Sequence, residues 1–135
     1  MIIGIGTDLC DSRRIKKTLN RFPQKFTARV FLRSECEKAE SRPNPAAQFA
    51  KFFAAKEACS KALGTGIRQG VYWKNFEIKN LVTGKPYIVL SGGASQKLKS
   101  LTPPDMKSVI DLSLSDEYPI ANAVVIISAL RLKDT

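Results

Sequence analysis

Residues 46–63 read Ala46-Ala47-Gln48-Phe49-Ala50-Lys51-Phe52-Phe53-Ala54-Ala55-Lys56-Glu57-Ala58-Cys59-Ser60-Lys61-Ala62-Leu63, and Gly64-Thr65-Gly66 follow. Phe49, Phe52, Ala55, Cys59, Ala62 and Leu63 recur at spacings that put them on one face of a helix, and the two glycines supply its stop. This is the longest periodic run in the chain. The break Ser41-Arg42-Pro43-Asn44-Pro45 sets it off from what comes before.

Working outward, residues 2–10 are rich in Ile with two glycines and read as a short buried strand, the glycines permitting close backbone approach. From Asp11 the positions Ile15, Leu19 and Phe22 keep helical spacing, with Asp11 or Ser12 as cap and Pro23 as stop. Residues 24–30 and 34–40 read as short helices, with Phe26, Val30 and Phe31 as core. Beyond the long helix the chain turns strand-rich: 71–80, then a Thr83-Gly84-Lys85-Pro86 turn into Tyr87–Leu90, then 107–115 and the apolar run 120–130, with a helix at 94–101. Tyr72, Trp73 and Phe76 fall in a region of alternating polarity and read as core rather than as a base-stacking platform. No repeat or linker divides the chain, so residues 1–135 are expected to form one α+β domain.

Composition narrows the function. Of 135 residues, 44 % are apolar and 25 % charged, as in ordinary globular proteins. Twenty-two Lys and Arg against 12 Asp and Glu leave a formal charge of +10, which points to an anionic partner: nucleic acid, a membrane surface, an acidic protein or a phosphorylated small molecule. There is no histidine, so a Ser-His-Asp triad is excluded and the commonest zinc ligand is missing. Cys10, Cys36 and Cys59 lack the spacing of a disulfide framework or thiolate metal site and suit a reducing compartment. The apolar N-terminus meets Asp8 too early for a signal peptide or membrane span, and a cytoplasmic protein is expected.

Several side chains invite a chemical reading beside a plainer one. Asp8, after Gly4-Ile5-Gly6-Thr7, suits a hard cation such as Mg²⁺, and equally the start of a helix. Phe53, Glu57 and Lys61 follow at i, i+4 spacing, so the carboxylate and ammonium share a ridge that could hold metal and phosphate, or simply form a helix pair worth about 0.3–0.5 kcal/mol. Gly64-Thr65-Gly66 offers backbone amides to a phosphate but is also an ordinary helix end. Arg13, Arg14, Lys16, Lys17 and Arg21 make the first helix basic, as a docking face or a solvated one.

Taken in order, these pieces resemble a family. Gly4-Ile5-Gly6-Thr7-Asp8 with Arg14-Ile15, then Phe53-Ala54-Ala55-Lys56-Glu57-Ala58 with Lys61-Ala62-Leu63-Gly64-Thr65-Gly66, then Gly84-Lys85-Pro86 and Ser113-Leu114-Ser115-Asp116-Glu117, are similar over nearly the whole chain to the bacterial holo-acyl-carrier-protein synthases of the 4′-phosphopantetheinyl transferase superfamily. The resemblance implies an α+β fold with an antiparallel sheet packed on the long helix, and a homotrimer with active sites between protomers. It implies Mg²⁺-dependent transfer of 4′-phosphopantetheine from coenzyme A, the co-substrate, to a serine of apo-acyl carrier protein for fatty acid biosynthesis, releasing adenosine 3′,5′-bisphosphate.

The same resemblance assigns roles. Asp8 and Glu57 would hold Mg²⁺, and Lys61 would contact the diphosphate, these three forming the catalytic set. Lys51, Lys61, Gly64, Thr65 and Gly66 would border coenzyme A, with Lys85 and Pro86 at its adenine end across a subunit interface. Arg13, Arg14, Lys17 and Arg21 would dock the acidic carrier. Two positions depart from the family pattern. Phe52 stands where many relatives have Arg, which shifts the 3′-phosphate contact to Lys51 or Arg42, and Asp116 stands where many have His. Proton acceptance then falls to a carboxylate (Asp8, Glu57 or Asp116) or to water on the metal. Two other readings stay open: a non-catalytic basic nucleic-acid-binding domain, and a phosphopantetheinyl transferase serving another carrier domain.

Overall fold

The computed structural model describes residues 1–134. Its frame is a three-stranded antiparallel sheet in the order β1-β5-β4, formed by β1 (Ile2–Asp11), β4 (Met106–Glu117) and β5 (Ile120–Arg131). The helix α4 (Pro45–Ala62) lies across the inner face of β1 and β5. Three further helices, α1 (Ser12–Arg21), α2 (Pro23–Val30) and α3 (Arg33–Glu40), lead from β1 to α4. A separate two-stranded sheet, β2 (Phe76–Asn80) with β3 (Pro86–Leu90), and α5 (Gly92–Leu101) complete the α+β arrangement. No helix among the described residues is long and apolar enough to cross a membrane.

Helix α4 starts where Asn44 caps it by accepting from the Ala47 amide, with Pro45 in its first turn. The expected single apolar face is too narrow a description. Ala46, Phe49, Ala50, Phe52, Ala54, Ala55, Lys56, Ala58, Cys59, Ser60 and Ala62 are all buried, which surrounds the helix on most sides. Small residues dominate where it meets the sheet: β5 turns Ala121, Ala123, Val125, Ile127 and Ala129 toward it. From β1, Gly4 and Gly6 allow backbone contact. A Cβ at Gly4 would come within 1.9 Å of the Ala62 carbonyl oxygen, and one at Gly6 within 1.8 Å of that of Ala58.

Three expectations need correcting. The segment 71–80 is a strand only from Phe76; Trp73–Asn75 forms a 3-10 turn, because Asn75 Oδ1 accepts from the Tyr72 amide and closes the backbone locally. Of the aromatics read as core there, Phe76 is fully buried and Trp73 stacks on Phe53 with centroids 4.8 Å apart, but Tyr72 is 66 % exposed. Strand β1 is an edge strand rather than a buried one: its glycine face meets α4, while Ile5 and Leu9 on the opposite face stand 66 % and 68 % exposed. In the other cases the expected elements stand within a few residues of their predicted bounds.

Candidate active site

The close approach of β1 to α4 decides the site. Because Gly6 brings the β1 backbone against Ala58, the side chain of Asp8, two residues on and on the same face, reaches the ridge that carries Glu57 and Lys61. Lys61 Nζ donates to Asp8 Oδ1 at 3.1 Å and to the Thr7 carbonyl at 3.1 Å. Glu57, half-buried between them, has its carboxyl pushed above the ordinary glutamate range by burial and then by the neighbouring Asp8 charge, against the opposing pull of Lys61. Two carboxylates and an ammonium thus converge at the C-terminal half of α4.

Among the described residues no third His, Cys, Asp or Glu joins them in a cluster able to cage a metal. A pair of hard carboxylate oxygens suits a dication that keeps several waters and takes further ligands from a phosphate, which is how Mg²⁺ is usually held. Burial, then the Asp8 charge, pushes the thiol of Cys10, two residues after Asp8, up to about 11, which disfavours its thiolate.

The helix end beside this cluster has the backbone that its glycines foretell. Gly64 and Gly66 adopt φ of 84° and 67°, the left-handed region that favours glycine, and the Gly64 amide closes on the Lys61 carbonyl. Thr65 is buried, its hydroxyl donating to the Gly66 carbonyl, and its own carbonyl accepts from Arg68 Nε at 2.8 Å.

Lys51, by contrast, sits ten residues before Lys61, about 15 Å along the helix. There it lines a groove of ≈ 500 Å³ with Lys38, Arg42, Asn80, Gly84 and Pro86, and Lys85 is exposed beside it. Burial, and then repulsion from Arg42 and Lys51, lowers the Lys38 pKa. Lys38 bonds Asn80, and Lys51 pairs with Asp116 at 3.6 Å. Lys38 was not foreseen as a member of this group; its place is set by the packing of α3 beside the β2–β3 hairpin, which no local spacing announces. Phe52 is 1 % exposed and belongs wholly to the core. One chain therefore keeps the Lys51, Lys85 and Pro86 group apart from the Asp8, Glu57 and Lys61 group.

Helix α1 presents the basic side chains. Arg14, Lys17 and Arg21 are exposed at i, i+3, i+7 spacing on one face, while Arg13 is turned back onto Asp11, its Nη2 at 2.7 Å from Oδ2. Arg21 also lies over the Phe22 ring, 5.1 Å from its centroid.

Comparison with known proteins gives the family and the fold. The model of the 4′-phosphopantetheinyl transferase superfamily matches residues 4–123. A holo-[acyl-carrier-protein] synthase of Beijerinckia indica is 55 % identical over 96 % of this chain and 93 % of its own. The crystal structure of the Neisseria meningitidis holo-[acyl-carrier-protein] synthase superposes with a TM-score of 0.82 at 36 % identity, covering 95 % of this chain and 99 % of that one. That of the Helicobacter pylori enzyme, in complex with coenzyme A, gives 0.78 at 32 % identity over 92 % and 99 %. From the match across residues 4–123 and the identity over nearly its full length, the chain belongs to the 4′-phosphopantetheinyl transferase superfamily, among its holo-[acyl-carrier-protein] synthases.

Proposed function

We propose that this protein transfers 4′-phosphopantetheine from coenzyme A to a serine hydroxyl of apo-acyl carrier protein. The serine oxygen bonds to the β-phosphorus as the bond from that phosphorus to the bridging oxygen breaks, the hydroxyl proton passes to a carboxylate of the site, and adenosine 3′,5′-bisphosphate leaves with the electron pair. The observation that carries the reading is the convergence of Asp8, Glu57 and Lys61, held by the glycine contact between β1 and α4.

Phosphoryl transfer of this kind needs positioning and charge neutralisation more than covalent help. Asp8 and Glu57 would hold Mg²⁺, which when bound supplies a positive charge to the diphosphate oxygens. Lys61, one turn beyond Glu57, contributes a mobile ammonium to the leaving diphosphate. Gly64, Thr65 and Gly66 border the same substrate at the helix end. Asp116, on β4 and paired with Lys51, lies apart from Asp8 and Glu57 within one chain and would reach a site only from the neighbouring protomer, together with Lys51.

Lys51, Lys85 and Pro86 hold the adenine end of a coenzyme A seated on a neighbouring protomer, in a homotrimer. Two features support that assembly: the separation of the two groups along α4, and the outer sheet face, where Ile5 and Leu9 flank the half-exposed Val124 and Ile126 of β5. Arg14, Lys17 and Arg21, with Arg13 beside them, receive the acidic carrier, in the first place that of fatty acid synthesis. Three free thiols fit a cytoplasmic setting.

The test is intact-mass analysis of apo-acyl carrier protein incubated with the protein, coenzyme A and Mg²⁺. The expected result is a phosphopantetheine-sized gain on the carrier that vanishes without metal and with the Glu57→Gln variant, while that variant keeps the wild-type oligomeric state. An unmodified carrier, or a fully active Glu57→Gln, would overturn the reading.

A further inference from the structure

The ammonium of Lys61 occupies the place on Asp8 where a cation would bind. Its Nζ is held by two oxygen atoms of adjoining residues, Asp8 Oδ1 and the Thr7 carbonyl, both at 3.1 Å. The Asp8 side chain is 17 % exposed and that of Lys61 51 %, so the carboxylate is fixed in the fold while the lysine reaches it from solvent. Glu57 is close enough for the Asp8 charge to act on it, and no cluster of three ligating side chains exists among the described residues. A divalent ion arriving alone would find two protein carboxylates, one of them already neutralised.

A diphosphate changes both terms. It carries oxygen ligands that complete the ion's shell, and it offers Lys61 a stronger anion than one carboxylate. We infer that Lys61 is an internal counter-ion that weakens uptake of the metal by the free enzyme, and that the metal binds more tightly together with the diphosphate, when Lys61 turns from Asp8 to the phosphate. This rests on the reading of Asp8 and Glu57 as the cation site. It adds an order of binding: metal and coenzyme A bind with positive coupling, and Lys61 is the element that couples them.

The fold makes this exchange geometrically available. Lys61 is in the last turn of α4, where its long stem can swing, whereas Asp8 is pinned in a strand bonded to β5 at Ala123. The pair is an exposed-lysine contact, individually weak, so its loss is readily compensated by a phosphate.

The test titrates Mn²⁺ into the full-length protein and reads the unbound ion by its paramagnetic resonance, with and without saturating coenzyme A, correcting for Mn²⁺ held by coenzyme A itself. For the wild type the dissociation constant should fall about tenfold or more when coenzyme A is present. Without coenzyme A, Lys61→Met should bind Mn²⁺ at least about fivefold more tightly than wild type, and Lys61→Arg, which keeps the charge, should not. In the wild type the Nζ resonance of Lys61 should stay in place when Mg²⁺ is added alone and move when Mg²⁺ and coenzyme A are added together. Equal Mn²⁺ affinity with and without coenzyme A, or a Lys61→Met variant no tighter than wild type, overturns the inference. Adding Asp8→Asn to Lys61→Met separates the two levels. Lost binding confirms the cation site, so that any failure above concerns the order alone, whereas unchanged binding removes the site and the inference with it.

Discussion

Two lysines five residues apart on α4 make opposite uses of the same chemistry. Lys56 and Glu35 are both 0 % exposed at 2.8 Å, and every remaining polar atom is engaged: Lys56 Nζ also donates to the Phe76 and Trp73 carbonyls, while Glu35 accepts from the Leu32 and Ile78 amides. Burial pulls the Lys56 pKa down and Glu35 pulls it back up. This pair ties α3, α4 and the start of β2 into one body. Lys61 and Asp8, at 3.1 Å with the lysine half-exposed, tie nothing that the backbone has not already fixed. A buried pair with all partners present is structural, and an exposed ammonium on a fixed carboxylate is free to exchange.

The largest test of that contrast is Lys56→Met. It strands the Glu35 carboxylate in the core, and chemical denaturation should show a loss of about 3–5 kcal/mol, whereas Lys61→Met should stay within about 1 kcal/mol of wild type while lowering turnover. Replacing both partners, as Lys56→Met with Glu35→Leu, should recover most of the loss, because the penalty comes from the unpaired charge. Equal destabilisation by the two single lysine variants would erase the distinction.

Next in size is Gly6→Ala. The added methyl meets the Ala58 carbonyl at 1.8 Å, so β1 and α4 must part. Such overpacking costs about 1–3 kcal/mol, and displacing Asp8 from Glu57 by about 1 Å should cut turnover about a hundredfold. A thermal melt and the carrier-modification assay on one preparation read both. Normal turnover in a folded Gly6→Ala variant would show that Asp8 is not positioned by this contact.

Much of this was legible in the sequence because it is periodic or punctuated. Residues 46–63 announce a helix, 120–130 a strand, and Glu57 with Lys61 one ridge. Gly4 and Gly6 suggested close approach, though only the fold shows that their partner is the α4 backbone. What stayed hidden depends on distant packing. Lys56 resembles any surface lysine in a helical run, and nothing local reveals that Glu35, twenty-one residues earlier, is waiting in the core. Glu35 lies in the first turn of α3, where it also accepts from the Leu32 amide. Tyr72 alternates with polar neighbours like a strand residue, yet Asn75 bends the chain before the strand begins. Assembly is not written in periodicity at all: the Ile5 and Leu9 face reads as buried, and in one chain it is bare.

The smallest expected effect lies at the third pair, Asp11 with Arg13, whose guanidinium side chain is 62 % exposed. The Arg13 side chain and then its backbone amide hold the Asp11 carboxyl at about 2, well below its ordinary value. Because the folded pKa is depressed, the stabilisation is complete above the ordinary aspartate range near pH 4 and is lost as the pH falls toward about 2. Asp11→Asn keeps a side-chain oxygen to cap α1 but gives up the charge. Its melting temperature should therefore sit slightly below wild type at pH 6 and meet the wild-type curve near pH 2. Solvent screens this pair as it cannot screen Lys56 and Glu35, so a drop at pH 6 as large as that of Lys56→Met would mean that exposure does not rank the three contacts.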